Sequence, residues 1–206
     1  MPSIASAALL FLNTGLLNIG PAATDPVQDL ARDKALQFLH VVPVLLALTL
    51  LAREDLNSIF IARGNLKAGL IFGRLSLLIW AVLATLLQAG ADGAPPLNAS
   101  VTPSIFLYAF SNAFMEELGF RAIFLKKYEV LIGRGAAILV TSAVFATPHL
   151  FATYEFSGGR LVFGAIVLAL DVVGAYSMYR TDSLIGAVLF HAGYNLTIAV
   201  SVLNSS

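Results

Sequence analysis

The sequence predicts an all-α protein, a polytopic transmembrane helical bundle of about six spans preceded by a partial helix at the N-terminus. Hydrophobic residues make up 58% of the 206 positions, charged residues make up 12%, and the mean hydropathy is +0.85. A soluble globular domain has about 45–50% apolar and about 25% charged residues. The charged side chains are too few to cover a water-facing surface, so lipid must solvate most of this protein.

Charge and cysteine content exclude several classes of function. The formal net charge is zero, so we do not expect nucleic acid as a partner. The expected partner is membrane lipid. The chain has no cysteine, which excludes disulfides, thiolate nucleophiles and cysteine-type zinc sites. Its length suits one membrane domain spanning residues 1–206.

The N-terminal stretch Ile4–Ile19 is apolar but is interrupted by Asn13, Gly15 and Asn18. No basic residue precedes it, so a cleaved signal peptide is not expected. It is also shorter than the roughly 20 residues that a full span needs. We predict a partial or interfacial helix here, and a true first span is the alternative.

Further along the chain, hydrophobic segments of spanning length alternate with polar connectors that hold nearly all the charge. The predicted spans are Leu36–Ala52, Leu66–Ala89, Pro103–Leu125, Arg134–Ala152, Leu161–Tyr179 and Ser183–Leu203. Backbone groups in lipid must be paired internally, so each span is expected to be a helix. Pro103 fits the first turn of its helix, where a missing N–H costs nothing.

The distribution of lysine and arginine predicts the topology. The connectors Arg53–Lys67 and Lys126–Arg134 are rich in basic residues and should face the cytoplasm. The Ala91–Thr102 loop contains an acid and no base, as expected outside. The Arg180–Asp182 turn then falls inside. We therefore predict an integral protein of the cell inner or plasma membrane.

Several polar residues lie inside the predicted spans, where an ionisable group costs roughly 2.5–3.5 kcal/mol on insertion scales. Each therefore requires a structural or functional reason. They are His40 in the first span, Glu116, Glu117 and Arg121 in the third, His149 in the fourth, Asp171 in the fifth, and His191 and Asn195 in the sixth.

Spacing suggests roles for some of these residues. Glu117 and Arg121 stand at i and i+4, which predicts a structural ion pair on one helix face. Glu116 lies about 100° around the helix from Glu117, so it is left without a partner near it in sequence. His191 and Asn195 also stand at i and i+4 and should project from one face.

The roles of two ionisable residues stay open at this stage. Asp171 has no partner visible in the sequence, and a hydrogen bond between helices is as well supported as a functional role. His40 lies near the start of the first predicted span and is interpreted as an interfacial or helix-contact residue.

Three sequence runs carry a resemblance to a known family. They are Glu116-Glu117…Arg121, Phe145…His149 and His191…Asn195. In this order, on separate predicted spans, they resemble the Glu-Glu-x-x-x-Arg, Phe-x-x-x-His and His-x-x-x-Asn motifs of the CAAX-protease and bacteriocin-processing family, also called the Abi family. The resemblance covers about Ser104 to Leu203, which would form the catalytic core.

The resemblance implies an intramembrane endopeptidase that hydrolyses a peptide bond of a membrane-associated peptide or lipidated protein. By the family's pattern, Glu116 and His149 would activate a water, while His191 and Asn195 would form the oxyanion hole. No cofactor is favoured, because no HExxH-type spacing fixes two metal ligands on one helix. The alternative is a zinc metalloprotease in which Glu116, His149 and His191 bind the metal.

Other classes of function remain as alternatives. The family resemblance also allows a catalytically silent membrane scaffold or an immunity protein. A haem protein would use His149 and His191 as axial ligands, but adjacent glutamates make a poor haem pocket. A proton-coupled transporter could use Glu116 and Asp171, although no inverted repeat is detectable.

Overall fold

The computed structural model describes residues 25–61, 64–90, 101–151 and 159–204. All regular secondary structure in these ranges is helical, which confirms the predicted all-α class. The predicted partial helix Ile4–Ile19 lies outside the described residues. So do most of the Ala91–Thr102 loop and of the connector between the predicted fourth and fifth spans.

Seven α-helices, one π-helical turn and one 3-10 turn make up the described fold. In chain order they are α1 (Pro26–Leu51), a 3-10 turn (Leu56–Ile59), α2 (Leu66–Ala89), α3 (Thr102–Glu116), the π turn (Glu117–Ala122), α4 (Ile123–Ile132), α5 (Arg134–His149), α6 (Arg160–Thr181) and α7 (Ile185–Asn204). Helices α1, α2 and α6 are long and apolar enough to cross a membrane, and so is the stretch Leu184–Ser201, which consists of most of α7 and the residue before it. The protein is therefore an integral membrane protein.

The two remaining predicted spans are the ones with the glutamate pair and His149. The third runs without a break through α3, the π turn and α4, and so extends past its predicted end at Leu125. Pro103 lies in the first turn of α3, as predicted. The fourth is the 16-residue helix α5, which ends at His149 rather than at Ala152. At a rise of about 1.5 Å per residue it is about 24 Å long, shorter than a hydrocarbon core of about 30 Å.

Helix α1 begins at Pro26, well before the predicted start at Leu36. The Asp25 carboxylate caps the helix, accepting hydrogen bonds from the backbone N–H of Val27 at 2.8 Å and of Gln28 at 3.2 Å. The sequence prediction placed the start too late because the first turns of α1 are rich in charged residues, which a hydropathy criterion excludes.

Helix α7 forms the centre of the bundle and α2 its periphery. In the stretch Leu184–Ser201, 72% of the residues are buried, whereas in the apolar stretch of α2 only 11% are buried. Close approach of these helices depends on glycine. A Cβ atom on Gly73 would lie 2.6 Å from Leu189 Cβ, and one on Gly193 would lie 2.8 Å from Trp80 Cδ1. Small residues at such contacts let membrane helices pack backbone against backbone.

The three connectors predicted to be cytoplasmic meet at one end of the bundle. Lys126 Nζ donates to the Asn57 carbonyl at 2.6 Å and to Asp182 Oδ1 at 2.7 Å. The backbone N–H of Leu184 donates to the Phe60 carbonyl at 2.9 Å. This arrangement agrees with the alternation of spans that the charge distribution predicts.

Candidate active site

Glu116 is the last residue of α3, and two side chains hold its carboxylate. Asn112 Nδ2 donates to Glu116 Oε2 at 3.0 Å, and His191 Nε2 lies 3.3 Å from the same oxygen. The expectation that Glu116 has no partner near it in sequence is therefore wrong. Asn112 lies one turn earlier on the same face, and because it is uncharged it did not stand out in the sequence.

His191 is buried on α7, and a glutamate oxygen lies beside each of its ring nitrogens. Its Nδ1 lies 2.7 Å from Glu117 Oε1. An ionised carboxylate can only accept, so this bond requires the proton on Nδ1 and leaves Nε2 facing Glu116. The Tyr194 ring stacks on the imidazole, with centroids 4.4 Å apart and planes 18° apart. Together these contacts fix the orientation of the ring.

Arg121 lies at the centre of a buried charge cluster. Its guanidinium forms ion pairs with Glu117, in the same π turn, and with Asp171 from α6. The Phe145 ring centroid lies 5.1 Å from Arg121 Cζ, within reach of a cation–π interaction. The sequence indicated the Glu117–Arg121 pair by its spacing. It did not indicate the contact between Asp171 and Arg121, because these residues lie on different helices.

The backbone beneath this cluster is a π turn rather than a regular α-helix. It spans Glu117–Ala122 and thus contains both Glu117 and Arg121. Such turns are rare and are frequent at functional sites, because the extra residue re-aims side chains on either side of it. Here the turn begins immediately after Glu116, and the two adjacent glutamates approach different ring nitrogens of His191.

His149 joins the cluster through an aromatic side chain. Its Nδ1 donates to the Phe145 carbonyl at 2.9 Å. A neutral imidazole carries one N–H proton, so Nε2 is then unprotonated. The Phe145 ring centroid lies 4.7 Å from the His149 ring and 5.8 Å from the His191 ring. Both histidine rings therefore contact the same phenylalanine ring. No hydrogen bond joins His149 to Glu116 within the described ranges.

Asn195 is buried one turn after His191 on α7. Its Nδ2 donates to the carbonyl of Ala109 on α3, at 3.4 Å. This distance is long for an N–H···O hydrogen bond, so the contact is weak. The structure thus places Asn195 and His191 along the same α3–α7 interface, and the side-chain amide of Asn195 donates to a backbone carbonyl there.

The arrangement can be compared with a zinc ligand set. Two ligands of a tetrahedral zinc ion with bonds of about 2.1 Å stand about 3.4 Å apart. Glu116 Oε2 and His191 Nε2, at 3.3 Å, match this spacing. However, no three His, Asp or Glu side chains among the described residues form a group that could hold a metal ion. His149, the third ligand of the zinc alternative, is therefore not assembled with the other two.

Comparison with known proteins identifies one related family. A sequence model described as "Type II CAAX prenyl endopeptidase Rce1-like" matches residues 98–197. This stretch contains all three motif runs, and it coincides closely with the region in which the sequence showed its resemblance. No curated protein matches this chain, and no solved structure matches it.

Proposed function

We propose that this chain, whose residues 98–197 belong to the Rce1-like family of type II CAAX prenyl endopeptidases, hydrolyses a peptide bond of a prenylated, membrane-associated substrate. The observation that carries the proposal is the contact between Glu116 Oε2 and His191 Nε2, which lie 3.3 Å apart at the motif positions. The alternative of a silent scaffold or immunity protein gives no reason for a carboxylate and an imidazole to face each other inside the membrane.

Exposure distinguishes Glu116 from the other acids of the cluster. The Glu116 side chain is 17% exposed, whereas those of Glu117 and His191 are each 1% exposed. Arg121 forms ion pairs with both Glu117 and Asp171, whereas Glu116 forms no ion pair with an arginine or a lysine among the described residues. Glu116 is therefore the carboxylate that a water can reach and that is able to accept its proton.

Amide hydrolysis requires a base for the attacking water and donors for the oxyanion. In the proposed reaction, Glu116 takes a proton from water while the water oxygen attacks the scissile carbonyl carbon. His149 would assist through Nε2, since its Nδ1 is committed to the Phe145 carbonyl. The proton then passes to the leaving amine as the C–N bond breaks.

His191 and Asn195 are proposed to stabilise the oxyanion. When protonated, His191 Nε2 could donate while Nδ1 remains bonded to Glu117. The weak bond from Asn195 to the Ala109 carbonyl would be exchanged for a bond to the developing charge. Both donors lie on one face of α7, so one substrate oxygen could receive both bonds.

Cleavage by purified protein in lipid nanodiscs tests the proposal. The substrates are a farnesylated CAAX peptide and the same peptide without the prenyl group, with fragments identified by mass spectrometry. We expect the prenylated peptide to be cleaved in preference. Glu116→Gln protein, prepared identically, controls for a contaminating protease. Absence of cleavage by wild-type protein with either peptide would contradict the proposal and favour the scaffold alternative.

The zinc alternative is tested separately by elemental analysis of wild-type, Glu116→Gln and His149→Ala protein. Glu116 and His191 fit two positions of a zinc site, but the described structure does not assemble a third ligand with them. We expect no stoichiometric metal and no loss of cleavage with a chelator. Stoichiometric zinc that disappears in both variants would establish the metalloprotease mechanism instead.

A further inference from the structure

Asp171 is a buried charge that the proposed reaction does not use. It lies on α6, which is long and apolar enough to cross a membrane, and its side chain is 0% exposed. An acid in such a helix needs a partner that compensates for its removal from water. Within the described ranges, Arg121 is the one charged group that contacts it.

The Asp171 contact fixes one side of the Arg121 guanidinium. Glu117 binds the other side, and the Phe145 ring lies over it. Gly174, one turn after Asp171, lies beside the guanidinium, and a Cβ atom there would make ordinary van der Waals contact with Arg121 Cζ at 3.8 Å. Helix α6 therefore lies against the guanidinium and supplies the counter-charge that determines its position.

The position of Arg121 matters because two groups of opposite character approach His191 Nδ1. Glu117 Oε1 lies 2.7 Å away and Arg121 Nη2 lies 3.2 Å away. The carboxylate requires a proton on Nδ1, whereas the guanidinium, which can only donate, requires a lone pair there. One nitrogen cannot satisfy both, so the balance between them selects the tautomer of His191.

We propose that Asp171 is a positioning residue that selects this tautomer. By holding Arg121 towards α6, it leaves Glu117 as the acceptor for the Nδ1 proton. A further proton on Nε2 then makes the imidazolium that donates to the oxyanion, a stronger donor than a neutral ring with its single proton on Nε2. Without Asp171, Arg121 is balanced by Glu117 alone. It then competes with His191 for that carboxylate and approaches Nδ1 as a donor. The catalytic consequence rests on the proposed peptidase function, but the effect on the imidazole does not.

Kinetics of Asp171→Asn protein with the farnesylated peptide give the first test. Loss of a partner that orients a metal-binding histidine typically costs about 10–100-fold. We expect a loss of similar size in kcat here, with KM unchanged. Asp171→Glu, which keeps the charge, should recover part of it. Ser177→Ala is the matched control, because Ser177 is buried on α6 and its hydroxyl bonds only to the Gly174 carbonyl among the described contacts.

The tautomer itself is measured by NMR of ¹⁵N-histidine-labelled protein. The chain contains 3 histidines, and His191→Gln protein assigns the signal of interest. We expect a protonated Nδ1 in wild type and in Ser177→Ala, and a shift of the proton towards Nε2 in Asp171→Asn. If Asp171→Asn does not fold, Asp171→Ser replaces it, since serine can bond to its own helix backbone.

The outcomes separate the two proposals. An unchanged tautomer, or a folded Asp171→Asn protein with wild-type kcat, would overturn the positioning role of Asp171. A shifted tautomer in a chain whose wild type cleaves nothing would support the positioning role and reject the peptidase function. A shifted tautomer together with reduced kcat would support both.

Discussion

At the residue scale, the setting of Glu116 depends on Asn112, one helical turn earlier. The Asn112 amide donates to Glu116 Oε2 at 3.0 Å, and hydrogen bonds to charged groups are worth about 1.5–3 kcal/mol. We therefore expect Asn112→Leu to lower kcat by about tenfold or more. Asn112→Asp should be worse, since it replaces the donor by a second acid. Wild-type kinetics in both variants would show that the Asn112 bond plays no part in catalysis.

Arg121 is expected to matter for stability as well as for activity. It stands between Glu117 and Asp171, so Arg121→Ala would leave two buried carboxylates without a counter-charge. Breaking a buried pair typically costs about 3–5 kcal/mol, so the melting temperature in detergent should fall clearly.

The matched control for Arg121 is Arg134→Ala. Arg134 pairs with Glu129 at 2.8 Å, but its side chain is 62% exposed. Exposed ion pairs contribute about 0–1 kcal/mol, so this variant should melt close to wild type. Equal melting temperatures for Arg121→Ala and wild type would contradict the structural role of the buried cluster.

At the scale of elements, the contact between α2 and α7 positions the helix that bears His191 and Asn195. A methyl group on Gly193 would lie 2.8 Å from Trp80 Cδ1, so Gly193→Ala must displace either the indole or the helix. Overpacking of this kind costs about 1–3 kcal/mol. We expect a lower melting temperature and reduced cleavage, measured on the same preparation.

Gly135→Ala provides the control for Gly193→Ala. Gly135 lies in the first turn of α5, and apart from its chain neighbours and its own helix backbone no atom lies within 4 Å of the position that a Cβ would take. Alanine favours helix over glycine by about 1 kcal/mol, so this variant should be as stable as wild type or slightly more stable. Equal loss of stability in both variants would mean that the α2–α7 contact has no special importance.

At the scale of the whole molecule, the absence of cysteine allows topology to be mapped with single introduced cysteines. Ala52 and Val130 are exposed at the end where Lys126 links the connectors, and Arg160 is exposed at the start of α6. In intact cells, an impermeant thiol reagent should label Arg160→Cys and leave Ala52→Cys and Val130→Cys unlabelled. Labelling of Ala52→Cys and Val130→Cys in intact cells would show that the orientation is opposite to the predicted one.

Features that repeat within one helix could be predicted from the sequence. The spacing of Glu117 and Arg121, and of His191 and Asn195, is local and follows from helical geometry. Contacts between helices could not be predicted. Asp171 reaches Arg121 only because α6 packs there, and nothing in the local pattern indicated it.

The boundaries of elements were predicted less well than their existence. The start of α1 was missed because charged residues occupy its first turns, and the π turn was missed because its residues fit a regular helix equally well. The same local view explains the error over Glu116. A pattern of charges indicates only charged partners, and the neutral Asn112 gives no such signal.

The central claim is that Glu116 provides the base for peptide hydrolysis inside the membrane. The most direct test compares single-turnover cleavage of the farnesylated peptide by wild type, Asn195→Ala and Glu116→Gln, with Glu54→Gln as a control in an exposed connector pair. Loss of a general base typically costs about 10²–10⁴-fold, and loss of an oxyanion donor about 10²–10³-fold. We predict wild-type cleavage by Glu54→Gln, impaired but measurable cleavage by Asn195→Ala, and the lowest rate for folded Glu116→Gln. Full cleavage by Glu116→Gln would contradict the assignment.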